Sequence, residues 1–132
     1  MIPTLSSTPI TPAIGVVLSG LELGPPLDDS TVAALTDAVA EHHVVIVRGQ
    51  QLDVDQQAAL TAAFGRLAAH PTRLLTAAAD TLRPASLVST IEDTAERPPA
   101  GFGWHTDLSW MPDPPATGVL HAVVVPPTVG GA

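Results

Sequence analysis

The sequence predicts an α+β domain, and three features carry that expectation. Apolar residues recur at helical spacing behind N-cap residues in two segments, after Asp28 and after Asp53. Short valine- and isoleucine-rich runs lie between and beyond them. Helices and strands mix in the first half, whereas strand-like runs dominate the second. The 132 residues suit one domain or part of one, and a hydrophobic fraction of 45% is enough for a packed core.

Residues 1–12 are rich in Ser, Thr and Pro and read as an extended arm. Ile14 to Leu18 is a short apolar run before Gly20, consistent with a strand, and Pro25-Pro26 punctuates the chain after it. Asp28, Asp29 and Ser30 are N-cap types, and Val32, Leu35 and Val39 follow at helical spacing, which predicts a helix from Ser30 to Glu41. Val44 to Val47 is a continuous β-branched run ending at Arg48-Gly49 and reads as a buried strand. Asp53 with Gln56 three residues on is a capping-box variant, and Leu60, Phe64 and Leu67 mark one face of a second helix that ends near Gly65.

Beyond that helix, residues 73–83 are alanine-rich, and helix and loop both stay open. Leu87 to Ile91 reads as a strand. Residues 92–103 carry charges, prolines and glycines and read as a loop long enough to serve as an active-site lid. Trp104 to Trp110 and Gly118 to Val125 read as strands separated by a proline-rich turn. An apolar edge such as Val123 to Val125 is one that complete domains usually cover.

Composition excludes several function classes. Net charge is −8, lysine is absent and the five arginines are scattered, the opposite of a nucleic-acid footprint. The lack of cysteine removes disulfides, zinc–thiolate sites and thiol catalysis. The N-terminus lacks the basic and apolar regions of a signal peptide, and no apolar run reaches the length of a membrane span. The expectation is a cytoplasmic protein that binds neither nucleic acid nor membrane.

His105 and Asp107 form an H-x-D pair. On a strand, positions two apart share a face with Cα atoms roughly 6–7 Å apart, so an imidazole and a carboxylate placed so can bind one metal ion from the same side. That is two-thirds of the two-histidine, one-carboxylate triad of non-haem iron oxygenases. The structural alternative is a histidine hydrogen-bonded to a neighbouring carboxylate. After Asp107 the only further histidine is His121, which alternates with Leu120 and Ala122 and reads as a structural strand residue.

The order of segments resembles the N-terminal part of the taurine dioxygenase (TauD/TfdA) family of Fe(II)- and 2-oxoglutarate-dependent dioxygenases. The likeness runs from Gly15 to Leu23 through Val44 to Gln50, Phe64-Gly65-Arg66-Leu67 and His70-Pro71. It continues to Trp104-His105-Thr106-Asp107, Pro114-Pro115 and the closing Pro126-Pro127-Thr128-Val129-Gly130-Gly131. The resemblance implies a double-stranded β-helix (jelly roll), incomplete here, with the N-terminal helices packed outside it. It implies Fe(II) bound by His105 and Asp107, 2-oxoglutarate as cosubstrate, and hydroxylation of a small organic acid, sulfonate or sulfate ester. It places His70 near the substrate, against the alternative of a loop histidine close to a helix C-terminus.

The departures from the family pattern set further expectations. Relatives follow the paired glycines with Asp-Thr, where Ala132 stands here, and a distal histidine and a distal arginine lie further along. The expectation is therefore a truncated member that is inactive alone. Its alternatives are a non-catalytic fragment, or one half of a split enzyme that assembles with a separately encoded C-terminal half or as a homo-oligomer. Gly101 and Gly103 stand where taurine-type members tend to carry asparagine, which argues against taurine itself. Trp104 and Trp110 read as packing residues. His42 and His43 read as helix-end residues, with His43 where relatives often carry the glycine that a left-handed φ favours.

Overall fold

The computed structural model describes residues 5–68, 88 and 104–124. Within them the chain runs β1 (Ser6–Pro9), β2 (Val16–Ser19), α1 (Asp29–His42), β3 (Val45–Val47) and α2 (Val54–Ala63). The strands form a mixed sheet in the order β1-β2-β3. β1 pairs antiparallel with β2, from Ser6 opposite Ser19 to Pro9 opposite Val16, and β2 pairs parallel with β3 from Val16–Val45 to Leu18–Val47. The α+β class is thus observed. No helix among the described residues is long and apolar enough to cross a membrane.

Part of the arm expected over residues 1–12 is an edge strand. A tight loop returns the chain after β1: Ile10 N–H donates to Gly15 O at 2.8 Å, and Thr11 Oγ1 accepts the Ile14 N–H at 2.9 Å. Gly15 has φ +89°, and a Cβ there would stand 3.0 Å from Ile10 Cδ1, so both conformation and space require glycine.

The core forms where the alternation of β2 meets the stripe of α1. Val16 and Leu18 lie two apart on one face of the strand and are buried with Leu21 and Leu35. Leu5, Leu23, Leu27, Ala38, Val45, Val47 and Phe64 pack around them. Residues 44–47 read as a buried strand, yet β3 is half-buried and Val44 is 46% exposed. In the described sheet β3 is an edge, covered by strand on one side only.

Both helices start as their sequences require. Asp28 caps α1 by accepting the Thr31 N–H at 2.7 Å. Asp53 and Gln56 form the full capping box of α2, with bonds of 2.8 and 2.9 Å. α1 ends at His43, whose φ is +64° and ψ −33°. The His43 N–H reaches Val39 O at 2.8 Å, and Val44 N–H donates to His42 O at 2.7 Å, closing a γ-turn around His43. His42 O also accepts the Gly15 N–H at 2.9 Å, so this turn joins the helix end to the start of β2.

Gln50 ties the loops at the other end of the sheet. Its Oε1 accepts the Leu23 N–H at 2.9 Å, and its Nε2 donates to Leu21 O at 3.0 Å and Arg48 O at 3.1 Å. One side-chain amide thereby fixes the exits of β2 and β3 together.

Two expected strands differ from what is seen. Residues 104–110 form bends and a turn in place of a strand. Leu108 has φ +49°, Met111 N–H donates to Leu108 O at 2.9 Å, and the Thr106 and Ser109 hydroxyls lie 2.8 Å apart. One backbone bond and one hydroxyl–hydroxyl contact close the segment on itself here, and the prolines that follow offer no ladder donors. Over residues 117–122 half-buried and exposed positions alternate, as on a strand, but no ladder pairing is made among the described residues. The expected strand over 87–91, the loop over 92–103 and the segment 73–83 lie outside the described residues, save Val88.

Candidate metal centre

His105 Nε2 stands 3.3 Å from Asp107 Oδ1, and their side chains are 53% and 89% exposed. The turn places them together, which corrects the expectation that a shared strand face would do so. The backbone bends at residues 106–109, and the two donor atoms converge across the intervening Thr106. Among the described residues, no third His, Asp or Glu joins them in a group able to hold a metal ion.

The donor set suits a divalent transition ion. Imidazole nitrogen and carboxylate oxygen are the ligand types that ferrous sites use. With metal–donor lengths of about 2.1 Å, two donors at right angles on one ion stand about 3.0 Å apart. The observed 3.3 Å is within a few tenths of an ångström of that separation. Holding an ion requires a lone pair at His105 Nε2, and hence a neutral ring with its proton on Nδ1.

Three contacts hold the segment bearing this pair against the N-terminal half. Gln57 Nε2 on α2 donates to Val119 O at 3.3 Å. His121 Nε2 lies 3.4 Å from Gln50 O, which makes Nε2 the protonated nitrogen when this bond forms. Arg66, just past α2, pairs with Asp113 at 3.1 Å, but both are more than four-fifths exposed and the pair is worth under about 1 kcal/mol. His121, expected to be structural, lies 3.4 Å from a backbone carbonyl. Trp104 and Trp110, expected to pack, are instead both exposed. His70 lies outside the described residues.

Sequence reasoning missed Gln50, Gln57 and Arg66. Gln50 sits directly after the Arg48-Gly49 end of a strand, a place where a side-chain amide can answer the backbone of a neighbouring loop. That position was the available signal.

The sequence model described as taurine catabolism dioxygenase TauD, TfdA family matches residues 6–132. The chain belongs to that family. An alkylsulfatase from Acinetobacter baylyi is 31% identical over 92% of this chain and 36% of its own length. An alpha-ketoglutarate-dependent sulfate ester dioxygenase from Pseudomonas putida is 32% identical over 92% of this chain and 38% of its own. The chain thus spans well under half the length of these TauD/TfdA relatives. Among solved structures, a taurine dioxygenase from Burkholderia xenovorans aligns with a TM-score of 0.46 and 36% identity, over 48% of this chain and 22% of that one.

Proposed function

We propose that this chain carries two protein ligands of a non-haem Fe(II) site, His105 and Asp107, in a 2-oxoglutarate-dependent dioxygenase with a jelly-roll fold. The observation that supports it most is the 3.3 Å approach of His105 Nε2 and Asp107 Oδ1, inside the region that the family match covers. The substrate proposed is a small organic acid, sulfonate or sulfate ester, in keeping with the sulfate ester dioxygenase of Pseudomonas putida that the chain resembles.

Iron held by these residues would, with 2-oxoglutarate, supply the oxidising chemistry. The chain's own contribution is placement. His105 would offer an imidazole nitrogen and Asp107 a carboxylate oxygen to the ion, 3.3 Å apart. The turn closed by Leu108 O and Met111 N–H, with the hydroxyl pair of Thr106 and Ser109, fixes the backbone between and just after the two ligands. His70 is proposed to contact the substrate.

The exposure of both donors favours further polypeptide, within the same protein or as a separately encoded half, supplying the remaining donors and the cover. An anaerobic titration with Mn(II) tests the metal reading. Weak binding is expected, lost in His105→Ala, because affinity follows donor number and preorganisation. Binding that survives that substitution places the metal elsewhere. In a turnover assay, this chain alone is expected to form no succinate from 2-oxoglutarate. Iron- and oxygen-dependent succinate from this chain alone would refute the need for further polypeptide.

A further inference from the structure

We propose that Gln50 and His121 form a positioning connection that sets the stance of the segment carrying His105 and Asp107, an inference that rests on the metal reading above. The side chain of Gln50 is fixed by the three backbone groups of Leu21, Leu23 and Arg48 at 2.9–3.1 Å. A side chain held on three sides leaves its own residue little freedom, so Gln50 O is a fixed acceptor. His121, half-buried, meets that acceptor at 3.4 Å. Two residues earlier, Val119 O takes the Gln57 amide at 3.3 Å. Residues 119 and 121 thus attach one side of the segment to α2 and to the loop before it, and Leu120 between them is 91% exposed. Gln50 therefore links three stretches: the exit of β2, the exit of β3 and the segment that follows the metal pair. Neither Gln50 nor His121 is proposed to touch the metal, so both are positioning residues.

The test is a double-substitution cycle read by Mn(II) affinity, with free Mn(II) followed by electron paramagnetic resonance. Gln50→Leu and His121→Leu are each expected to weaken Mn(II) binding severalfold, because placement of the two donors loosens with the segment that carries them. The double variant should be no weaker than either single one, since both break one connection. His121→Gln, which can place an amide N–H near the position of Nε2, should restore binding. His43→Val, in the turn at the opposite end of the sheet from Gln50, should lower thermal stability and leave Mn(II) affinity unchanged. Affinities within twofold of wild type in both single variants, or losses that multiply in the double, overturn the proposal. If the wild-type chain takes up no Mn(II), two donors alone do not hold the ion, and the connection is judged by amide hydrogen exchange. Faster exchange over residues 119–122 in both variants, with β2 and α1 unchanged, supports it; unchanged exchange there overturns it.

Discussion

The Leu23 N–H donates to Gln50 Oε1 at 2.9 Å, a bond between residues 27 apart in sequence. With the bonds from Gln50 Nε2 to Leu21 O and Arg48 O, it makes one amide the fastener of two loops. A net value of about 1 kcal/mol per such bond puts Gln50→Leu at about 2–3 kcal/mol less stable, measured by urea unfolding. Gln50→Glu keeps only an acceptor for Leu23 and turns a carboxylate toward two carbonyls, so it should cost at least as much at neutral pH. A loss below about 0.5 kcal/mol in both would mean that water replaces the amide without penalty.

His43→Gly is expected to stabilise the chain. His43 holds φ +64° in a γ-turn, a conformation that costs a non-glycine residue about 1–3 kcal/mol. Glycine removes that strain and gives back about 0.5–1 kcal/mol through its freer unfolded chain. The net gain, about 1 kcal/mol, should appear as a higher melting temperature by differential scanning calorimetry. His43→Val should lower it, because a β-branched side chain resists positive φ more strongly.

The cap of α1 should be sensitive to acid. The Ser30 hydroxyl, followed by the Thr31 N–H, holds the Asp28 carboxyl below its ordinary value of 3.8. A depressed carboxylate contributes stability above its unfolded value and loses it as pH falls through the folded one. Asp28→Ala should therefore melt below wild type at neutral pH, and the gap should narrow as the pH drops below 3.8. A gap that stays constant into that range would assign the cap's value to geometry alone.

Leu120, Val123 and Val124 are 91%, 80% and 85% exposed along one short stretch. A stretch this apolar and uncovered favours self-association. Val124→Lys should shift the sedimentation profile of this chain toward monomer. An unchanged profile would mean that association, if present, uses another surface.

The N-terminal half was legible because its signals are local. Asp28 and Asp53 each announce a helix by a bond to a backbone N–H three residues on, and both bonds are present. The positive φ at His43 had no such local signal; it was implied only by the family resemblance, in which relatives often carry glycine there. What the sequence hid is non-local. The residues of β1 are all exposed, so no apolar alternation marked them, and their strand status comes from pairing with Val16–Ser19. The turn at residues 106–111 defeated strand propensity because hydroxyl and backbone bonds within the segment competed with a ladder. That His105 and Asp107 approach each other was legible in their spacing; how they do so was not. They meet, but across a turn.

Every described helix and strand lies between Ser6 and Ala63, before the metal pair. A ribosome extending the chain at about 5–20 residues per second takes several seconds to go from α2 to His121. Hairpin and crossover contacts within the first half span short loops whose closure costs little entropy. The sheet and both helices can therefore mature while residues 104–124 are still being synthesised. Birth order then gives residues 104–124 a preformed surface to dock on, through Gln50, Gln57 and Arg66.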